Sequence, residues 1–207
     1  MDKYLLTLTM RTDGSSKFST NHKWAYFPSG AISWKLHQEQ FIKDLQVFDE
    51  FKIRASYGVS GNQGISPYQT LSRYGIETFY TDGTWNTAIG PGYVIGNTGV
   101  GGRYKEWGGI PNKDLRWETT AQYNVGADFS FLKNRLGVTV DYYSKNTYDL
   151  LRERYLTLSS GYDRMWVNDG EINNKGIELT LNANIIQNDK FTWDANFTFA
   201  KNKQKIK

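Results

Sequence analysis

The stretch Leu115–Phe131, LRWETTAQYNVGADFSF, constrains the chain more than any other part of it. Taken by alternate residues it divides into two faces. Trp117, Thr119, Ala121, Tyr123, Val125, Ala127, Phe129 and Phe131 make one, apolar or aromatic apart from the threonine. Glu118, Thr120, Gln122, Asn124, Gly126, Asp128 and Ser130 make the other, which carries no large apolar side chain. A period of two is the pattern of a β-strand with one apolar and one wet side. Soluble strands usually run about 5–6 residues, whereas a tilted strand that crosses a bilayer needs about 9–11. This stretch is long enough to cross and to project beyond.

The same element repeats along the chain. Lys3–Met10 reads as a short strand, followed by a turn at Thr12-Asp13-Gly14-Ser15-Ser16. Trp24–Trp34 reads as a second, with Pro28 implying a bulge or an interruption. Lys35–Glu50 is a connector in which Phe41, Leu45 and Phe48 are spaced for one short helix. Phe51–Ser60 alternates again, and a long irregular segment, Gly61–Asp114, precedes the central strand. After a tight turn at Leu132–Arg135, the pattern resumes at Leu136, Val138, Val140 and Tyr142. A second long connection, Asn146–Lys175, leads to the strand of Ile177, Leu179 and Leu181. A turn at Gln187–Lys190 then returns the chain through Trp193, Ala195, Phe197 and Phe199.

From the third strand onward the connections alternate long and short, so one end of the sheet has tight turns and the other large loops. Aromatic residues gather at both ends: Phe51, Phe129, Phe131 and Trp193 toward the turns, Tyr57, Trp117 and Tyr142 toward the loops. Two interfacial belts would look like this. With 39% hydrophobic residues and a mean hydropathy of −0.61, no apolar run approaches the roughly 18 residues of a spanning helix. A barrel strand escapes that test because only every second residue faces lipid. The expected fold is therefore all-β: antiparallel transmembrane β-barrel strands, about seven of them, forming a partial, open, curved sheet. A soluble carbohydrate-binding β-sandwich also alternates, and a passive porin-like barrel or adhesin would share the pattern. The wet face, rich in Thr, Asn, Gln, Ser and Asp, favours a polar lumen.

Catalytic chemistry has little to work with. The chain has no Cys and only His22 and His37, neither in a metal-binding spacing. Gly96–Gly102 lacks the lysine and helix of a phosphate loop. Asp49 and Glu50 are adjacent and would point to opposite faces of a strand. No enzyme, cofactor or metal site is expected. The net charge is +4, but Lys and Arg are scattered rather than gathered in a stripe, which argues against nucleic acid. The alternating Lys201, Lys203, Lys205 and Lys207 read as a solvated strand terminus rather than a polyanion site. Aromatic residues in the long loops are the candidates for ligand contact: Tyr80, Trp85, Tyr93, Tyr104, Trp107 and Trp166. Met1-Asp2-Lys3 leads into a strand rather than the apolar core of a secretion signal, so the chain is expected to be an internal piece of a longer protein.

Several ordered motifs carry a resemblance. Asp13-Gly14-Ser15-Ser16 with Phe18, then Phe27-Pro28-Ser29 with Trp34 and Glu39, is similar to blocks of the SusC/RagA group of TonB-dependent outer-membrane transporters. So is Lys52–Gly58 leading to Gly61-Asn62-Gln63. So are Leu115-Arg116-Trp117-Glu118 with Asn124, Gly126 and Asp128, and the block Gly170–Glu178. The resemblance covers nearly the whole chain. It implies that residues 1–207 are part of a 22-stranded barrel whose plug domain, signal peptide and C-terminal strands lie outside this sequence. It also implies a Gram-negative outer membrane as location and membrane lipid around the wall. A SusD-like lipoprotein over the mouth, TonB as the energy source acting through the plug, and oligosaccharide or peptide fragments as substrate follow from it too. The shared blocks are mainly architectural, and none assigns a substrate contact.

Overall fold

A computed structural model describes residues 2–72, 75–90, 110–160 and 164–207. In chain order the elements are β1 (Tyr4–Gly14), β2 (Trp24–Lys35), a one-turn helix α1 (Gln40–Lys43), β3 (Glu50–Asn62), β4 (Gly75–Thr81) and β5 (Thr84–Gly90). They continue with β6 (Glu118–Phe131), β7 (Leu136–Tyr148), β8 (Leu151–Tyr155), β9 (Arg164–Asn168), β10 (Ile172–Asn188) and β11 (Phe191–Ile206). Seven of these form one sheet in the order β1-β2-β3-β6-β7-β10-β11, and every pair in it is antiparallel. The sheet is open, with β1 and β11 at its edges. β4–β5 and β8–β9 are separate hairpins within the two long connections.

Several sequence expectations shift. The first strand runs on to Gly14, so the turn begins only at Ser15. Pro28 interrupts nothing: β1 and β2 stay in register from Tyr4↔Trp34 to Gly14↔Trp24. Pairing of β2 with β3 covers only Ser29–Lys35, so Pro28 lies where the strand is paired on one side, a place where an absent N–H is tolerated. Both long connections, including the one read as irregular, contain a hairpin. β4–β5 turns at Asp82 (φ 52°) and Gly83 (φ 76°), the two left-handed residues that suit strand twist. The helical spacing in the connector does yield α1. The tight turn after β6 takes three successive left-handed residues, Leu132, Lys133 and Asn134. It is held by the Asn134 N–H donating to Asp49 Oδ2 at 3.0 Å.

Register converts alternation into two continuous faces. One row of paired residues runs Tyr4, Trp34, Ile53, Ala127, Val140, Leu179, Phe199, apolar on all seven strands. Among the described residues no second sheet covers this face, and Phe48 of the connector packs only at its turn end: Leu6 is 68% exposed and Leu8 76%, which argues against a two-layer sandwich. The apolar band slopes across the sheet. In that one row Tyr4 is the first apolar residue of β1, while Phe199 is the last of β11 before the lysines. On β1 the band ends at Met10, six rows above its limit on β11; the limit stands at the same height on β6, at Ala121, and falls over β7, β10 and β11. Averaged over the six strand-to-strand steps between the edges, a drift of about one residue, or about 3.4 Å, per strand spacing of about 4.8 Å gives a mean strand tilt of about 35° to the band.

At the turn end, Phe48, Phe51, Phe129 and Phe131 stack, with ring centroids 4.7–6.3 Å apart. At the loop end the aromatic belt loses one expected member. Trp117 precedes β6, which starts at Glu118 rather than Leu115, and is 7% exposed within the buried core. That core is Phe18, Phe27, Ile65, Leu115 and Trp117, with Phe18 and Leu115 fully enclosed. It fills the region beyond Ser29↔Gly58, where β2 and β3 cease to pair. A Cβ on Gly61 would overlap the Phe27 ring, so the cluster lies directly on that backbone.

Candidate functional site

The wet face is organised by charge. Arg54 donates from Nε to Asp128 Oδ2 at 2.8 Å and from Nη2 to Asp128 Oδ1 at 3.0 Å. The same Nη2 reaches Asp141 Oδ1 at 3.0 Å. Lys52 Nζ lies 3.0 Å from Asp128 Oδ2, and Thr139 Oγ1 donates to Asp128 Oδ1 at 3.2 Å. Arg54, Gly126 and Asp141 share one row, so the guanidinium must cross β6 to reach β7. The glycine leaves room for this crossing: a Cβ at 126 would overlap Asp141 Oδ1 and stand 2.9 Å from Arg54 Nη2, so those side chains would have to move. Tyr143 crosses Gly176 in the same manner, its ring 2.8 Å from where a Cβ would sit. Above this network lies a recess of about 720 Å³, lined by Arg54, Gln122, Asn124, Asp141, Lys145 and Glu178 among others. It presents charges and amide groups beside apolar side chains such as Leu5 and Ala31.

The loops are tied down at the other end of the strands. Leu115-Arg116-Trp117-Glu118 supplies four different contacts in succession. Leu115 is buried. Arg116 makes a two-pronged bond to Asp149, at 3.0 and 2.7 Å, which raises its pKa further above the ordinary value. Trp117 Nε1 donates to the Lys23 carbonyl at 3.2 Å. Glu118 accepts from the Leu151 N–H at 3.1 Å and from Asn62 Nδ2 at 3.2 Å. Asn168 closes the clasp by bonding both backbone groups of Arg116 at 2.9 Å. Nearby, hydrogen bonds from Arg152 and then Arg154 hold the Asp169 carboxyl below the usual carboxylate range. At the turn end, Lys3 and then Trp34 do the same for Glu39 through hydrogen bonds of 2.9 and 3.2 Å.

The candidate aromatic residues separate into groups. Tyr80 and Trp85 are register partners beside the β4–β5 turn, 61% and 72% exposed, with rings edge to face at 5.4 Å. Trp166 is half-buried and packs against the Phe18–Trp117 core. Tyr93, Tyr104 and Trp107 lie outside the described residues. Among the described residues no three His, Asp or Glu side chains gather as a ligand set for a metal. The Arg54 network was not read from the sequence. Its available signal was Gly126, an isolated glycine inside a strand, which marks close approach by a neighbour.

Similarity to known proteins covers the whole chain. Residues 1–207 match the family model described as TonB dependent receptor-like, beta-barrel. TonB-dependent receptor P3 of Formosa agariphila is 41% identical over 204 residues, which are 99% of this chain and 19% of that protein. TonB-dependent receptor SusC of Bacteroides thetaiotaomicron is 34% identical over 209 residues, 100% of this chain and 19% of that one. The solved structure of the RagAB peptide importer in its closed-closed state superposes with a TM-score of 0.79 at 27% identity. That superposition covers 98% of this chain and 20% of the importer chain. The chain spans about a fifth of the length of the relatives it matches.

Proposed function

The chain belongs to the TonB-dependent receptor-like β-barrel family, and on that premise we propose that its sheet is a sector of the barrel wall of an importer in a Gram-negative outer membrane. The relatives are transport receptors rather than enzymes. The sloping apolar band carries the reading. Strands tilted by about 35° through a flat slab would produce this slope, within the range of barrel strands, about 35–45°. On β6 the band runs from Ala121 to Phe131. Ten residues at about 3.4 Å, projected through that tilt, span about 28 Å, close to the apolar height of about 25 Å of outer-membrane barrels. The opposite face, with its Arg54–Asp128–Asp141 network, would then border the water-filled interior.

In the complete protein, other strands extend both edges of the sheet and a plug domain closes the interior. The cargo is a glycan or peptide fragment. The peptide alternative draws on the RagAB peptide importer, which this chain resembles in fold and sequence. TonB drives transport and a SusD-like lipoprotein covers the mouth. Tyr80 and Trp85, on an exposed hairpin at the loop end, are the described candidates for contact with cargo or lipoprotein. The short turns face the periplasm and the long loops the exterior. In the full-length protein on intact cells, Thr84→Cys in the β4–β5 turn should react with a membrane-impermeant thiol reagent. Asp189→Cys in the β10–β11 turn should react only after lysis. The reverse pattern would invert the topology, and equal reaction of both would remove the membrane from the reading.

A further inference from the structure

The connector between β2 and β3 leaves the turn end of the sheet with three directions open to it. It could pass under the interior, hang free below the wall, or fold outward over the apolar face. Both of its ends fold outward. At its start, Glu39 accepts hydrogen bonds from Trp34 Nε1 and the Tyr4 hydroxyl, each at 3.2 Å, and from Lys3 Nζ at 2.9 Å. Tyr4 and Trp34 belong to the apolar row of the sheet, and their rings stack at 5.8 Å. At its finish, the Phe48 ring lies 5.2 Å from both Phe51 and Phe131 and 6.1 Å from Phe129, all three on that same face. Phe48 thus extends the apolar band past the last residue that β3 contributes to it.

The segment held between these two anchors is amphipathic. Phe41, Ile42 and Leu45 fall on one side of the α1 turn, and Gln40, Lys43 and Asp44 on the other, at about 100° per residue. Gln40 Nε2 donates to Asp44 Oδ1 at 2.7 Å, which ties the polar side together. Ile42 is half-buried, whereas Phe41, Leu45 and, just past the turn, Val47 are each more than half exposed. A helix this short gains little by itself in water. Its open apolar side is a cost that an apolar medium removes.

We propose that residues 40–47 form an in-plane anchor in the periplasmic leaflet, with Phe41 and Leu45 among the upper acyl carbons of phospholipid and Lys43 at headgroup level. This rests on the membrane placement proposed above, which puts the turn end at the periplasm. Phospholipid is the occupant because the two anchors set the segment on the lipid side of the wall, continuous with the apolar band, where neither plug nor cargo reaches. An amphipathic turn lying flat at that depth has the geometry of an interfacial helix. Here it would fix the height of β2 and β3 in the bilayer.

The test uses the full-length transporter reconstituted in vesicles of phosphatidylethanolamine and phosphatidylcholine, with one spin-labelled cysteine in an otherwise cysteine-free background. Collision of the label with oxygen, which concentrates in lipid, is compared with collision with a water-soluble nickel chelate. Phe41→Cys and Leu45→Cys should give oxygen-to-nickel ratios several-fold above that of Lys43→Cys, on the polar side of the same turn. The contrast should survive high salt, because burial rather than charge drives the contact. Val125→Cys, in the middle of the apolar band on β6, reports on the wall itself. Lipid contact at Val125, with Phe41 no more lipid-exposed than Lys43, would overturn the anchor alone. Shielding of Phe41 from both reagents would mean that protein covers it, and would overturn the anchor too. Water contact at Val125 would sink the membrane reading on which the anchor rests.

Discussion

Gly126 carries no side chain because Arg54 passes over it to reach Asp141. This makes a sharp test, since Gly137 lies near the start of the adjacent strand β7 and has space. A Cβ there would meet nothing nearer than Asn182 Cβ, at 3.8 Å. Gly126→Ala in the full-length barrel should lower the urea midpoint by an amount equivalent to about 1–3 kcal/mol, the usual cost of forcing atoms into a filled site. Gly137→Ala should stay within about 0.5 kcal/mol of wild type. Equal effects at both positions would mean that the Arg54–Asp141 crossing is not held in solution. Alternation already placed Arg54, Gly126 and Asp128 on the wet face. What it could not give is which residues of neighbouring strands share a row, because register depends on turn lengths and on pairing across long loops. The same limit hid the fate of Trp117. Its parity fits the lipid face of β6, yet it lies one residue before the strand and turns inward onto Phe18 and Phe27.

β6 shows how far a single element can be read. Its two faces were legible because lipid and water demand opposite chemistry, and pairing on both sides keeps them aligned from Thr119 to Ser130. Val125 lies near the middle of the apolar band, with Ala55 on one side and Tyr142 on the other. An arginine there must snorkel or drag water into hydrocarbon, at a cost of roughly 2–4 kcal/mol near the midplane. One residue away, Asn124 donates to Ser56 Oγ at 3.4 Å and borders the wet recess. An arginine at that position keeps its hydration. Val125→Arg should therefore impair heat resistance or urea stability of the full-length protein in lipid, while Asn124→Arg should leave folding nearly intact. A larger loss at Asn124 would reverse the assignment of the faces. The ends of the element were less legible than its middle. The contacts that end the pattern at Trp117 come from residues nearly a hundred positions away, such as the Lys23 carbonyl.

For the whole molecule, the strand number and open architecture followed from alternation, because each strand carries its own period. The hairpins inside the long connections did not, since β4–β5 and β8–β9 are short, with little apolar contrast between their faces. The open sheet has a physical consequence of its own. Seven strands fall short of the smallest common barrel, about eight, so β1 and β11 keep one unpaired row of backbone groups each. Such edges recruit other chains. The apolar face adds a second drive, because Leu6, Leu8, Tyr26 and Phe197 are more than half exposed and no second layer covers them among the described residues. The isolated 207-residue chain, refolded into water, should consequently associate through both surfaces. A mild detergent should cover only the apolar face and leave the edges to pair. Sedimentation velocity separates these contributions: large heterogeneous species are expected in water, and smaller, edge-paired oligomers in detergent. A stable monomer in detergent-free buffer would show that the chain buries its apolar face without lipid. The soluble carbohydrate-binding reading would then replace the barrel wall.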